Sequence, residues 1–193
     1  VIGLRFRHRA VHNNKGNNML KKIAIAVVAI VAAIVGLALT KPDSFTVQRV
    51  ATIKAPPEKI VPLISDFHNW TSWSPWEALD PKMQRTYSGT QNGKGAIYNW
   101  KGNSDVGEGR MEITDLTAPT KVVIQLDFID PFESSNVTVF TLAPQGELTT
   151  VTWNMSGPMP FMSKLMCVFM SMEKMIGPDF EKGLAKMKSV AEK

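Results

Sequence analysis

The sequence predicts an α+β protein, in which an antiparallel sheet of about six to seven strands is covered on one face by a long C-terminal helical region and preceded by one apolar N-terminal helix. Three observations carry this. Between Phe45 and Ser156 the chain repeatedly alternates apolar and polar residues, and turn-rich stretches separate the runs. From Phe161 to the end, apolar residues recur at helical spacing. Near the N-terminus, Ile23 to Leu39 carries no charged or strongly polar side chain. With 193 residues there is room for one ordinary domain and a short appendage.

The apolar N-terminal run spans about 26 Å as a helix, slightly less than a hydrocarbon core of about 30 Å. Thr40 extends it, and Lys22 and Lys41 can snorkel to the two interfaces. Two readings stay open. One is an uncleaved transmembrane anchor over residues 23–40. The other is a secretory signal with a cut near Gly36-Leu37-Ala38. The length of the run and its poor small-residue site favour the anchor. Either reading leaves the basic residues 1–22 in the cytoplasm and puts the body outside it, in the periplasm if the cell is bacterial; cleavage would release the body as a secreted protein. Met19-Leu20-Lys21-Lys22 is a usual beginning for such a segment, so translation is expected to start at Met19.

Charge is divided along the chain. Residues 1–42 hold seven basic side chains and no acidic one, which leaves 15 basic against 17 acidic in the remainder. The body is therefore slightly acidic, which argues against a nucleic-acid partner. Cys167 is the one cysteine and lies in an apolar run, as a small core hydrophobe would. His68 is the one histidine beyond residue 42, so a multi-histidine metal site is excluded from the body. No phosphate-cradling glycine loop is present, and neither a cofactor nor a metal is expected.

After a linker at residues 41–44, Phe45 to Ile53 alternates as a first strand, with Arg49 interrupting its apolar side. Pro56-Pro57-Glu58 starts a helix whose stripe is Ile60, Val61 and Ile64 and which Pro62 keeps short. Asp66 is placed to cap a further turn carrying Phe67 and Trp70. Strands are then expected at Met83 to Ser88, at Ala96 to Trp100, from Gly107 to Leu116 and from Lys121 to Phe128. Two more, Ser134 to Leu142 and Leu148 to Ser156, are joined by a turn at Pro144-Gln145-Gly146. Phe161 to Met175 reads as a methionine-dense helix that Gly177-Pro178 interrupts, and Asp179 can cap a last segment from Phe180 to Lys193.

These residues resemble the polyketide cyclase/dehydrase-type members of the SRPBCC (START-like, helix-grip) superfamily. The likeness is carried by Val50-Ala-Thr-Ile-Lys-Ala-Pro-Pro-Glu-Lys-Ile, by Asp66-Phe-His-Asn-Trp and by Trp73-Ser-Pro-Trp-Glu. Gly95-Ala-Ile-Tyr-Asn-Trp-Lys-Gly-Asn, Val106-Gly-Glu-Gly-Arg-Met and Asp179-Phe-Glu-Lys-Gly-Leu add to it, so it covers residues 45–193 as one ligand-binding domain. The resemblance implies a curved sheet wrapped around the long C-terminal helix, with a cavity between them that takes lipids, quinones or polyketide-like molecules. A cyclase name does not by itself imply cyclase activity.

The expected site follows from where large apolar side chains gather. Trp70, Trp73 and Trp76, at steps of three on a turn-rich segment, are placed to close the cavity or the end of the core. Inward positions on the strands add Tyr98, Trp100, Met111, Leu126, Phe128 and Trp153. Met162, Met166 and Met170 repeat every four residues and would form the opposite wall. Catalytic residues are not evident. Glu77 and His68 are weak choices, Glu77 because a carboxyl in an apolar pocket can act as an acid. Arg49 and Asp127 also approach the interior or pair at the surface. Ser171-Met-Glu-Lys174 matches a Ser-x-x-Lys spacing with no supporting motif. The leading expectation is a membrane-anchored protein that binds a hydrophobic small molecule and is more readily a binder than an enzyme. The alternatives are a cyclase or dehydratase with an acid–base group in the cavity, and a stress-linked interaction module without ligand.

Overall fold

The computed structural model describes residues 14–193; the basic side chains expected at Arg5, Arg7 and Arg9 lie outside them. Helix α1, Asn14–Leu39, contains the apolar run. Its part from Asn18 to Leu39 contains an 18-residue stretch with a mean hydropathy of 2.7 and is long and apolar enough to cross a membrane. Strand β1, Ser44–Ile53, begins five residues after α1 ends. Helix α2, Pro57–Ser65, has Pro57 in its first turn and buries Ile60, Val61 and Ile64, as the stripe requires. Two short 3₁₀ turns follow, Phe67–Ser72 and Pro75–Ala78. Asp66 caps the first by accepting from the His68 amide.

The remaining strands are β2 Gln84–Gly89, β3 Ala96–Lys101, β4 Glu108–Thr117, β5 Lys121–Asp130, β6 Ser134–Gln145 and β7 Leu148–Pro158. All seven form one antiparallel sheet in the order β1-β7-β6-β5-β4-β3-β2. Each strand from β2 to β7 pairs with its neighbour in sequence, and β1 closes against β7. Register shifts in the β4–β5 ladder bend the sheet. Its inner face carries Val47, Ile113, Ile124 and Val151, all buried. The helix-grip architecture is thus present, with the inner face packed on a C-terminal helix.

That helix differs from the sequence expectation. Helix α3 covers only Phe161–Met166, and α4 runs from Met172 to Ala191, straight through Gly177-Pro178. The chain breaks earlier because Ser171 caps α4, its hydroxyl accepting from the Lys174 amide at 3.4 Å. Pro178 falls at the seventh position of α4, where it removes one helical hydrogen bond but does not end the helix. Gly177 serves packing: a Cβ there would lie 2.0 Å from an Arg49 guanidinium nitrogen. Arg49, the residue that interrupts the apolar side of β1, lies over this notch and pairs with Glu173 and with Glu181 (2.5 Å). Spaced eight residues apart, the two glutamates share one face of α4, so the ion pairs fix that helix to the sheet.

Candidate functional site

A cavity of about 280 Å3 lies between the inner face of the sheet, the first half of α4 and the second 3₁₀ turn. Its sheet wall is built by alternation. Inward positions bring Tyr98 and Trp100 from β3, Met111 from β4, Leu126 and Phe128 from β5, and Trp153 from β7 to the lumen. Trp70 and Trp76 line it from the 3₁₀ turns, and Met172, Met175, Ile176 and Phe180 line it from α4.

Trp73 and the methionine row lie elsewhere. Trp73 is 1% exposed, packs among Trp70, Phe140 and Trp153, and donates from Nε1 to the Leu63 carbonyl at 2.7 Å. It belongs to the core behind the cavity. Met162, Met166 and Met170 do not line the cavity but are exposed at the surface. Their four-residue spacing suggested one helical face, but the helix ends at Met166 and restarts at Met172, so Met172 and Met175 occupy the wall instead. Trp70, Trp76, Trp100 and Trp153 wall the cavity, and Trp70 and Trp153 continue into the core through Trp73. Trp70 contacts Trp73 at 4.7 Å between ring centroids, Trp76 meets Trp153 edge-on at 5.9 Å, and Trp153 stacks on Phe180.

Polar side chains enter this wall from three places: Ser74 and Glu77 from the 3₁₀ segment, strand β6, and Ser163 and Asp179 from the helical end. Glu77 lines the cavity, and both of its oxygens are occupied. Arg85 on β2 donates to Oε2 from Nε at 2.8 Å and contacts it through Nη2 at 2.6 Å, while the Tyr98 hydroxyl donates to Oε1 at 2.9 Å. Burial, reinforced by the Glu77 charge and hydrogen bond, pushes the Tyr98 hydroxyl far above the usual phenol range. The Glu77 hydrogen bond likewise holds the Arg85 guanidinium above its ordinary value. The carboxylate is therefore held as an acceptor by a cation and a phenol.

His68 stands outside the cavity. Its ring stacks on Tyr87 at 4.0 Å, and Nδ1 lies 2.9 Å from Asp66 Oδ1. Side chains two residues apart in a helical turn rarely face each other; here the capping role of Asp66 turns its carboxylate back onto the His68 backbone and ring together. Asp127 faces the outer side, accepting from Gln125 Nε2 and the Ser135 hydroxyl.

Sequence reasoning missed the polar stripe of β6. Ser134, Asn136 and Thr138 line the cavity, whereas Val137 is 38% exposed on the opposite face. An ordinary amphipathic strand would turn the valine inward. The inverted parity was visible in the sequence, since Phe140 and Leu142 share the face of Asn136 and Thr138. Asn136 Nδ2 donates to Ser134 Oγ at 3.1 Å, but Asn136 Oδ1 has no partner. The same is true of Trp153 Nε1. Both residues are buried and contribute to the cavity wall, and these two atoms, themselves closed off from the lumen, are left without hydrogen bonds. Gly157 leaves room for the amide; a Cβ at that position would sit 2.0 Å from Asn136 Oδ1.

A seven-stranded antiparallel sheet closed over a C-terminal helix, with an apolar cavity between them, defines a helix-grip protein. The chain belongs to the family described as polyketide cyclase / dehydrase and lipid transport, whose model matches residues 44–192. Comparison with curated proteins finds no match. Among solved structures, a Chromobacterium violaceum protein is 14% identical, with a TM-score of 0.54 over 79% of this chain and 99% of its own. A Mesorhizobium loti protein is 20% identical, also with a TM-score of 0.54, over 76% of this chain and 96% of its own. One from Nitrosospira multiformis is 18% identical at the same TM-score, covering 75% and 94%. Identities this low show a shared fold and nothing finer.

Proposed function

We propose that this protein binds an apolar small molecule with one polar end, a lipid, quinone or polyketide-like compound, and holds it beside a membrane in which α1 is anchored. The observation that carries the reading is the cavity's composition: aromatic, leucine and methionine walls with two unpartnered polar atoms, Trp153 Nε1 and Asn136 Oδ1. An apolar chain fits the walls. With a small side-chain shift that opens these atoms to the lumen, a carbonyl or hydroxyl end would satisfy the indole N–H, and a hydroxyl would satisfy the amide oxygen. The family description, which includes lipid transport, supports the same class. In this reading α1 spans the bilayer with its lysine-bearing start, Lys21-Lys22, in the cytoplasm and the cavity domain on the far side.

The test is extraction of the purified full chain into organic solvent, followed by mass spectrometry. One class of apolar molecule at close to one per chain is expected, and a fluorescent fatty-acid analogue should displace it. An empty extract together with no uptake of the analogue would end the proposal. A second reading, a cyclase or dehydratase, is favoured by the Glu77–Arg85–Tyr98 cluster in the cavity wall. It requires Glu77→Gln to abolish a turnover that the unmodified protein performs on a carbonyl substrate.

A further inference from the structure

Seven of the eleven exposed large apolar side chains of the body gather at one end of the sheet; Val50, Leu79, Val137 and Leu148 are scattered elsewhere. Phe161, Met162, Met166, Phe169 and Met170 lie on α3 and the segment after it, and Phe169 is 75% exposed. Ile129 and Phe132, both about half exposed, lie at the β5–β6 hairpin. Antiparallel pairing puts them together. Ser44 opposes Pro158, Phe128 opposes Ser134, and Val137 opposes Ser156, so the start of β1, the end of β7 and the β5–β6 hairpin share that end.

The anchor helix leaves from the same place. Helix α1 packs against α3, and Met159 donates from its amide to the Asp43 carbonyl at 2.8 Å. Between Phe161 and Met170 the one charged residue is Lys164. Its side chain is only 14% exposed and pairs with Asp43, so the strap itself presents no unpaired cation. The charges of this end are acidic and exposed beside the apolar side chains: Asp43 before β1, and Asp130 and Glu133 in the hairpin, where they can stay among the headgroups. The strap from Met159 to Ser171 also borders the cavity, since Pro158, Ser163 and Met172 line it.

We propose that this end of the domain, the strap 159–171 together with the Ile129–Phe132 hairpin, rests in the interface of the bilayer, so that the cavity end it borders faces lipid rather than water. The occupant is identified by continuity: the patch is contiguous with the helix that has the length and composition to cross a bilayer, and it is apolar where that helix meets the domain. Soluble proteins rarely expose a contiguous apolar patch of this kind unless it contacts a partner or a membrane. Seated this way, an apolar ligand moves between bilayer and cavity beneath the strap without crossing water. The inference rests on the membrane-spanning reading of α1, and its test separates the two.

The full chain, in a Cys167→Ala background, is reconstituted into phosphatidylcholine vesicles and labelled with an environment-sensitive fluorophore through one introduced cysteine at a time. Phe169→Cys and Met170→Cys report on the strap, and Ile30→Cys on α1. Glu147→Cys reports on the β6–β7 turn, about 34 Å away along β7. Nitroxide-bearing phosphatidylcholine then quenches labels in contact with lipid. The expected result is quenching of the strap labels by shallow nitroxides at least threefold above that at position 147, with a blue-shifted emission. Quenching at position 30 but not at 169 or 170 leaves the anchor standing and overturns the proposal. No quenching at 30, 169 or 170 removes both readings. A blue shift at 169 without quenching, growing with protein-to-lipid ratio, shows a second copy covering the face and also overturns it.

Discussion

The indole of Trp153 on β7 lies flat on the ring of Phe180 on α4, with centroids 4.0 Å apart and 9° between planes. This stack ties the sheet to the helix at the place where the core becomes cavity, because both rings are buried and both line the lumen. Removing one partner leaves a void that neither the sheet nor α4 can collapse to fill. Phe180→Ala is expected to cost about 3 to 5 kcal/mol of unfolding free energy, read from denaturant midpoints.

Trp153→Phe tests the other function of that residue. It keeps an aromatic ring over Phe180 and deletes only the unpartnered Nε1 donor. Overpriced polar burial is removed, so part of the lost packing is offset, and a stability change within about 1 kcal/mol is expected. Ligand affinity should fall by up to about tenfold, as loss of one neutral hydrogen bond predicts. Equal affinities for the two proteins would show that the indole N–H does not contact the ligand.

Tyr98 gives a pH-dependent prediction. Its folded-state hydroxyl is raised above the ordinary phenol value of 10.0 by burial first and by Glu77 second. Below about pH 10 both folded and unfolded chains hold the proton, and the contribution is fully present. Above it the unfolded chain releases the proton and the folded chain does not, so stability falls as pH rises. Comparing denaturant midpoints at pH 9 and pH 11 should show a smaller alkaline loss in Tyr98→Phe than in the unmodified protein. At neutral pH the same substitution takes one donor from Glu77 and is expected to cost about 1 kcal/mol.

Much of this architecture was legible because period and burial agree. On β5, Val122, Ile124, Leu126 and Phe128 alternate with Val123, Gln125 and Asp127, and all four turn inward. Legibility failed where long-range contacts overrode local signals. Gly177-Pro178 reads as a helix break, yet α4 continues through it because the notch accepts Arg49 from β1, 128 residues earlier in the chain. The Met162–Met170 row has a clean helical spacing, but capping by Ser171 ends that register before Met170. Asn136 and Thr138 were missed although Phe140 and Leu142 mark their face as inward, because a cavity wall tolerates polar side chains at positions that a packed core would fill with valine.

The Arg49 clamp should reveal itself through salt. Its partners Glu173 and Glu181 are more than half exposed, so the pairs are screened. Arg49→Met is expected to lower Tm at low ionic strength and to converge on the unmodified protein as salt is raised. A difference in Tm that is independent of salt would assign the effect to packing over Gly177 instead.

Methionines on the two sides of the α3–α4 break should respond differently. Met175 lines the cavity, whereas Met170 is 52% exposed outside it. Met175→Trp adds ring volume to a lumen of about 280 Å3, so uptake of a fluorescent fatty-acid analogue in detergent solution should fall severalfold. Met170→Ser removes apolar surface without touching the lumen and should leave that uptake unchanged. Equal losses in both would place the binding site outside the cavity.

In the proposed binding reading, Asn136 sets stability against affinity. Its buried Oδ1 lacks a partner, and its one side-chain hydrogen bond is the 3.1 Å contact to Ser134. Asn136→Leu replaces the amide by an apolar group of nearly the same shape, removing a desolvated acceptor at the loss of that one bond. The folded state should gain about 1 kcal/mol. The cavity then loses the acceptor that a ligand hydroxyl would use, so affinity for a hydroxyl-bearing apolar ligand should drop while affinity for the matching hydrocarbon rises or holds. That reversal is diagnostic, because a residue that only filled space would move both affinities in the same direction. Higher stability together with lower affinity in Asn136→Leu would mark a position kept polar for binding rather than for the core.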